Sequence, residues 1–281
     1  MSRMRVNPER SWPELAVNGL IGLSFWSVIV LTAGVLVYVA LRGGGAISWE
    51  FLTGMPLSRG LEGGIYPAIV GTVWLTVGTA LVAVPVGVLS AVYLTEYARE
   101  GLALRLLNLA IINLAGVPSV VFGLFGLALF VLFLGLGSSV GAASLTLGIL
   151  TLPVVVTATR EALLAVPRAY REGAFALGAS RRQVIWTHVL PYARSGIVGG
   201  SLLGLSRAMG ETAPILVTGV AFTLPRLPTG FGSRFMALPY HLYISATQVP
   251  GMPVERIWAS ALTLLAMVLI LNVLAGFIRA E

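Results

Sequence analysis

The 281-residue chain contains no cysteine, no lysine and no aspartate. Without cysteine it can form neither a disulfide bond nor a reactive thiolate. Without lysine it cannot complete the Gly-Lys-Ser/Thr of a phosphate-binding loop, so it is not a Walker-type ATPase by itself. Its two histidines, His188 and His241, are isolated and have no cluster of carboxylates beside them, which argues against a metal site. Few groups remain for acid, base or nucleophile chemistry, so the composition argues against an enzyme and indicates no cofactor.

Charged residues make up only 10% of the chain, whereas 57% are hydrophobic and the mean hydropathy is +0.92. These values are typical of a polytopic membrane protein. A transmembrane helix needs about 20 apolar residues, and the third of five apolar stretches is long enough for two, with a turn at residues 135–139. We therefore predict an all-α, polytopic membrane helix bundle with six transmembrane helices. The five stretches are 15–41, 65–95, 106–159, 195–224 and 257–278.

All 18 basic residues are arginines, and their distribution predicts the orientation of the chain. With the N-terminal arm 1–14 in the cytoplasm, twelve arginines lie in inner segments and five in outer loops. This excess satisfies the positive-inside rule, so both termini are predicted to be cytoplasmic. The first stretch, 15–41, exceeds the 7–15 apolar residues of a signal peptide, so we expect it to remain as an anchor. The net charge of +7 then reflects orientation and does not indicate a nucleic-acid partner.

One apolar stretch, 195–221, carries two charges, Arg207 and Glu211. Residues four positions apart share a helical face, so we predict that these side chains lie together. Arg207 follows Ser195 by 12 residues, about 18 Å of helical rise, which is near the middle of a hydrocarbon core roughly 30 Å thick. Arginine there costs about 2.5–3.5 kcal/mol on insertion scales and usually faces a cavity or a partner. The pair predicts an anion pathway, and the alternative is an ion pair that only neutralises itself.

Small residues and a proline predict how the membrane helices pack. Gly196, Gly200, Gly204 and Ala208 recur every four residues, a stripe that lets another helix approach closely. That helix could belong to this chain or to a partner subunit. Pro118 predicts a kink in the third span.

The outer segment 222–257 contains five prolines and several aromatic residues. One interpretation is an interfacial cap whose aromatic side chains lie at the level of the lipid headgroups. The other is a docking surface for an external protein.

The inner segment 160–194 is predicted to contain two short helices. Pro167 can open the first helix, which places Tyr170, Ala174 and Leu177 on one face. Gly178 is a natural C-terminal stop for that helix.

The second short helix is predicted to begin at a capping box formed by Ser180 and Gln183 and to run to Leu190 and Pro191. Taken alone, the two helices are compatible with an amphipathic surface hairpin that has no further role.

This inner segment resembles the signature loop of ABC importer permeases. The pattern is Glu-Ala-Ala, three residues, Gly, nine residues, Ile, one residue and Leu-Pro, and the chain departs from it at Gly173 and His188. The resemblance implies the type I ABC importer permease fold over residues 67–278, with 15–41 as an additional first helix. It also implies that segment 160–194 is a coupling loop for a cytoplasmic ATPase. The coupling residues so implied are Tyr170, Glu172, Ala174, Leu177, Gly178, Leu190 and Pro191.

Three further segments, 63–72, 93–98 and 206–214, resemble the permease subunits of phosphate importers. The resemblance implies alternating access across the cytoplasmic membrane, driven by ATP hydrolysis in separate subunits. The implied partners are a homologous permease, two ATP-binding subunits, an extracytoplasmic phosphate-binding protein and the lipid bilayer. It further implies that Arg207 and Glu211 occupy positions used in phosphate movement.

Two other transport functions remain open from the sequence. The cargo could be another oxyanion, such as sulfate or molybdate. An ion-coupled secondary carrier would show internal repeats with broken helices in both halves, whereas this sequence shows one charged helix and no matching copy.

Overall fold

The computed structural model describes residues 12–224 and 226–280, and most of them are helical. Residues 1–11 of the predicted arm lie outside the described residues. The described α-helices are α1 Trp12–Gly43, α2 Trp49–Thr53, α3 Tyr66–Val92, α4 Leu102–Ala115, α5 Ser119–Gly126, α6 Val140–Leu164, α7 Arg168–Ala176, α8 Arg181–Val184, α9 Leu190–Met209, α10 Ala213–Leu216, α11 Leu238–Thr247 and α12 Val254–Ala280.

Shorter elements join or extend these helices. Two 3₁₀ turns lie at Gly44–Ala46 and Ser58–Gly60. An antiparallel hairpin, β1 Pro56–Leu57 with β2 Glu62–Gly63, pairs Pro56 with Gly63 and Leu57 with Glu62. Three π-helical segments follow α3, α5 and α8, and they are Tyr93–Tyr97, Leu127–Phe133 and Ile185–Val189.

The described residues contain four helices that are long and apolar enough to cross a membrane: α1, α3, α6 and α12. A fifth span is present if α4 is joined with α5 and its π-helical extension. The fifth predicted span in chain order, 195–224, corresponds to α9, whose arginines, glycines and serines lower its mean hydropathy below that of the other spans.

The third span is broken, and the sequence had predicted only a kink there. α4 ends at Ala115, α5 begins at Ser119, and the two halves meet at 102°. The ring of Pro118 removes a backbone donor and disfavours the helical conformation at Val117. The helix therefore stops before this proline and restarts after it.

Glycines bring the central helices α3, α6 and α9 into close contact. A Cβ added at Gly87 of α3 would lie 2.7 Å from the Val155 side chain of α6. On α9, a Cβ at Gly196 would lie 2.7 Å from the methyl group of Ala162, and one at Gly200 would overlap that of Ala158. The small-residue stripe therefore packs against α6 of the same chain.

Helix α1 lies at the periphery and packs along α12. The rings of Tyr38 and Trp258 meet edge to face with centroids 5.3 Å apart. The apolar side chains of its predicted spanning part are largely exposed, among them Leu23, Trp26 and Leu31. This helix is longer than the predicted span of 15–41, and its exposed surface is what a helix facing lipid requires.

The centre of the outer segment folds into the bundle. Phe235, Met236 and Leu238 are fully buried, and the backbone N–H of Leu238 donates to Oγ1 of Thr72 in α3 at 2.9 Å. Burial of Phe235 is incompatible with a position at the lipid headgroups. The segment is therefore a packed part of the protein, with only some of its aromatic rings at the surface.

His241, on α11 within this outer segment, is buried and neutral. Its ring stacks on Phe222 with centroids 5.1 Å apart, and its Nδ1 atom has no hydrogen-bond partner among the residues that the structure describes. Burial lowers the pKa of His241 from 6.5 to about 4, and Arg256 adds to the lowering while the backbone of Phe222 opposes it. The folded protein therefore resists protonation of this ring.

We expect the protein to lose stability as the pH falls from 6.5 towards 4. In that window the unfolded chain binds a proton at His241 that the folded chain does not. Acidification therefore stabilises the unfolded state relative to the folded state, and the effect is absent above pH 6.5. The full effect is on the order of 3 kcal/mol. Thermal melting in detergent across this window should show it. His241→Phe keeps an aromatic ring and should flatten the pH dependence, and an identical slope in both proteins would contradict the assignment.

Candidate functional site

Arg207 and Glu211 lie together where α9 ends. Nε of Arg207 is 3.7 Å from Oε1 of Glu211. The expectation that both residues share one helical face is wrong, because α9 ends at Met209 and Glu211 lies in the gap before α10. Gly210 favours the helix end, and Pro214 could not donate the backbone bond that a continuing helix would need. The ion pair therefore bridges an interruption in the predicted fifth span.

The pair borders a cleft of about 220 Å³. Liquid water occupies about 30 Å³ per molecule, so the cleft can hold an anion and some of its water. The other walls come from the α4–α5 break and from α6. They include Leu114, Val117, Ser119, Pro153 and Val154.

Two interrupted helices meet at this cleft. α5 packs closely on α10, since a Cβ added at Gly123 would lie 3.0 Å from Cα of Pro214. α5 begins at Ser119 without a side-chain cap, so no capping side chain satisfies the N–H groups of its first turn. Sequence reasoning missed the part that the α4–α5 break plays here, although Pro118 marked its position.

The cleft offers hydrogen-bond donors to a ligand. The Arg207 side chain is 64% exposed, whereas that of Glu211 is 19% exposed. At the membrane depth predicted from the sequence, an exposed guanidinium must face water or a partner protein, because exposure to hydrocarbon is too costly. The contact with Glu211 is through Nε at 3.7 Å, so the outer nitrogens can donate to another acceptor. The α5 N-terminus adds a partial positive charge.

The inner segment forms the predicted helical hairpin, which we call the coupling hairpin (α7 to α8, Arg168–Val184). α7 follows Pro167, and Gly178 has a φ of +83°. The Gly178 N–H donates to the Phe175 carbonyl at 2.9 Å, and the Ala179 N–H donates to the Ala174 carbonyl at 3.1 Å. These two bonds define a Schellman motif, which needs a left-handed residue at its centre. The predicted glycine stop is confirmed.

The second helix of the hairpin begins as predicted and ends elsewhere. The capping box of Ser180 and Gln183 is present. The predicted end at Leu190 and Pro191 is wrong, because α8 continues through the π-helical segment Ile185–Val189 into α9. The wider π turn accommodates the missing N–H and the ring of Pro191. One helical run therefore connects the hairpin to Arg207.

The predicted coupling residues have different environments. Ala174 is buried in an apolar cluster with Leu163 and Ile185. Leu190 is half-buried beside that cluster, whereas Pro191 and Gly178 are exposed. Leu177, the third residue predicted on that face, is 91% exposed immediately after the end of α7. Tyr170 packs on Tyr192 with ring centroids 5.2 Å apart, and Glu172 is exposed.

An arginine pair that sequence reasoning missed clamps the hairpin to the end of α3. Arg171 donates to Oε1 of Glu96 at 2.9 Å and to the carbonyl groups of Val166 and Leu163 at 2.7 and 2.8 Å. Arg181 donates to the carbonyl oxygen of Glu96, and its guanidinium lies over the ring of Tyr97. Glu96 is the one acidic residue of segment 93–98. In the sequence, that segment was noted for its resemblance to the permease subunits of phosphate importers.

The family of the chain follows from its sequence. Residues 83–280 match the model described as a binding-protein-dependent transport system inner membrane component. The chain belongs to this family. As a member of this inner membrane family it is a multi-pass membrane protein and a transport permease, which confirms the resemblance found in the sequence.

Curated relatives cover most of the chain. The phosphate transport system permease protein PstA 1 of Mycobacterium tuberculosis (strain ATCC 25618 / H37Rv) is 36% identical over 260 residues, which are 91% of this chain and 84% of the relative. PstA of Haemophilus influenzae is 32% identical over 265 residues, 93% of each chain. A probable ABC transporter permease protein of Bacillus subtilis, YqgI, is 32% identical over 218 residues, 78% of this chain and 74% of the relative.

Solved structures show the same fold. A chain of the inward-facing MetNI methionine ABC transporter superposes with a TM-score of 0.62 at 16% identity, covering 77% of this chain and 96% of that chain. A chain of an amino acid ABC transporter gives a TM-score of 0.56 at 18% identity, covering 77% and 92%. The predicted type I ABC importer permease fold is therefore confirmed.

Proposed function

We propose that this inner membrane component is a permease subunit of an ATP-driven importer of inorganic phosphate. Several of its relatives carry the name of phosphate transport permeases, and they match nearly the whole chain. The site observation that carries the proposal is an exposed guanidinium inside a membrane span, held beside a carboxylate in a cleft between two broken helices.

The chemistry of the pair suits hydrogen phosphate. Arginine offers a planar fork of donors that matches two oxygens of a tetrahedral anion. Glu211 partly neutralises the charge of Arg207, which keeps the anion from being trapped. Its carboxylate can also accept a hydrogen bond from the P–OH group of hydrogen phosphate. Sulfate has no proton at neutral pH and could not satisfy such an acceptor.

The coupling hairpin is the proposed docking element for the ATPase. Its outward side chains include Glu172, Phe175 and Leu177, all exposed in this chain. The apolar cluster around Ala174 and the clamp on Glu96 hold the hairpin rigidly. Since the helical run from Arg181 to Met209 also carries Arg207, movement of the hairpin would be transmitted to the cleft.

The exposure of Arg207 also supports a partner permease. We assign the permease domain to 67–278 and the additional helix to 15–41. A second, homologous permease would close the cleft on its open side, so that the anion travels between the two subunits. Two ATP-binding subunits and an extracytoplasmic phosphate-binding protein would complete the importer.

Uptake by the reconstituted complex tests this function. Vesicles carrying both permeases and the ATPase should accumulate labelled phosphate only with ATP and the binding protein, and excess sulfate should not compete. Uptake driven by an ion gradient without ATP would favour a secondary carrier, whose broken helices resemble those at this cleft. Competition by sulfate would contradict phosphate selectivity.

The topology makes a separate prediction, which the absence of native cysteine makes simple to test. Single cysteines at Ser58 and Ser233 should react with an impermeant thiol reagent from outside. Cysteines at Ser2 and Ser180 should react only after permeabilisation, as the arginine distribution requires. External labelling at Ser180 would contradict both the orientation and the docking role of the coupling hairpin.

A further inference from the structure

A second cleft, of about 310 Å³, lies in the outer segment. We call it the outer cleft; its polar lining is Arg226, Thr229, Ser233 and Arg234. Both arginine side chains are exposed, and neither has a carboxylate within 4.0 Å among the described residues. Two isolated cations that share one concave surface produce a local field that attracts anions.

The hydroxyl groups of the outer cleft supply a further donor. Oγ1 of Thr229 and Oγ of Ser233 are 3.1 Å apart, and the Thr229 N–H donates to Oγ of Ser233 at 3.2 Å. Only one hydroxyl proton is used between the two side chains, so the other can donate to a ligand. The outer cleft therefore presents two guanidinium groups and a hydroxyl, a donor set suited to the oxygens of a tetrahedral anion.

The outer cleft is fixed to a helix that also reaches Arg207. The N–H groups of Val140 and Gly141, at the start of α6, donate to the carbonyl groups of Ser233 and Phe231 at 2.9 and 2.7 Å. Pro153, farther along α6, lines the Arg207 cleft. At 1.5 Å per residue the two clefts are about 20 Å apart along this helix. In the orientation predicted from the arginine distribution, the outer cleft lies on the outer side of the Arg207 cleft.

We propose that the outer cleft is an oxyanion-binding site that receives the anion before it moves to Arg207. The identification of the anion as phosphate rests on the proposed function; the site itself rests on the geometry of the outer cleft. Exposure to water weakens each contact, because exposed charge pairs gain little. Weak binding suits a relay, since conduction requires that an ion enter each site and also leave it.

A cysteine at Gly232, beside the outer cleft, provides a probe that does not depend on transport. Gly232 is exposed and an added Cβ meets nothing within 4 Å, so Gly232→Cys should not disturb the fold. In the assembled complex, an anionic thiol reagent should label this cysteine faster than a neutral one. Inorganic phosphate should slow the labelling, whereas sodium chloride at equal ionic strength should slow it much less.

Removing the two guanidinium groups should remove the protection. Arg226→Gln with Arg234→Gln should raise the phosphate concentration needed for half-protection by about tenfold or more, since two charge-assisted contacts are lost. The matched pair Arg226→Lys and Arg234→Lys keeps both charges and should retain part of the protection. Arg42→Gln, which removes an outer arginine stacked over Tyr38, should leave the protection unchanged.

The outcomes also separate this site from the Arg207 cleft. Protection should persist in Arg207→Gln, whatever that variant does to uptake, so failure of the proposed pathway would not remove the evidence for the outer cleft. Equal slowing by chloride, or protection that survives in the double glutamine variant, would overturn the proposal. Protection by the binding protein alone, with none by phosphate, would identify a protein-docking surface and would also overturn it.

Discussion

Arg207→Gln is expected to abolish phosphate uptake while the complex still assembles. The change removes the exposed charge that faces the cleft and leaves a polar side chain of moderate size. Charge-assisted hydrogen bonds contribute about 1.5–3 kcal/mol each, so losing them should reduce uptake by at least about tenfold to a hundredfold. Labelled-phosphate uptake and the subunit composition of the purified complex should be measured together.

Arg207→Lys separates charge from geometry. Lysine keeps a point charge and loses the planar fork of donors. Partial uptake would indicate that attraction of the anion is sufficient, and no uptake would indicate that oriented recognition of its oxygens is needed.

The paired change Arg207→Gln with Glu211→Gln tests whether the two charges only neutralise each other. Glu211 lies 3.7 Å from Arg207, so the single variant leaves a carboxylate unneutralised inside the membrane, and the double variant avoids that cost. Uptake at the original rate in the double variant would show that the pair is an internal salt bridge. The anion-pathway proposal would then be wrong.

Local chemistry in the sequence predicted the coupling hairpin well. The positions of Pro167, Gly178 and the Ser180–Gln183 capping box each follow from a rule that involves a few neighbouring residues. The structure confirms all three. The charged pair Arg207 and Glu211 was found in the same way, because two charges in an apolar run stand out in any sequence.

Features that depend on distant residues could not be predicted. Glu96 and Arg171 are 75 positions apart, and no local pattern indicates that the end of α3 meets the hairpin. Residues 235–238 fold inward and contact Thr72, which is far away in sequence. The continuation of α8 into α9 was missed because Pro191 normally ends a helix, and the π-helical segment before it removes that restriction.

These long-range contacts suggest how this chain could couple docking of an ATPase at the coupling hairpin to movement of an anion at Arg207. The clamp on Glu96 fixes the coupling hairpin to α3, while the helical run from α8 through α9 leads to Arg207. In the proposed coupling, a displacement at the hairpin would move Arg207 relative to the α6 wall of its cleft. The turn at Gly178 sets the shape of the hairpin, so we propose that this path begins there.

Gly178→Val is expected to uncouple ATP hydrolysis from transport while the membrane helices still insert. A Cβ at Gly178 meets nothing within 4 Å, so the harm is conformational: the φ of +83° is unfavourable for any side chain and most of all for a branched one. A left-handed residue costs roughly 1–2 kcal/mol, so even Gly178→Ala should weaken the turn. We expect poor retention of the ATPase subunit and loss of phosphate-stimulated hydrolysis, with Val worse than Ala.

Gly173→Ala is the matched control for this prediction. Gly173 lies within α7, five residues before Gly178, and a Cβ there also meets nothing within 4 Å. Its backbone is helical, so alanine should stabilise α7 by about 0.5–1 kcal/mol. Copurification of the ATPase and phosphate-stimulated hydrolysis should therefore be preserved in Gly173→Ala and reduced in Gly178→Ala. If the Gly178→Val complex retained its ATPase and transported phosphate normally, the hairpin would be only a surface element and the coupling role assigned to it would be wrong.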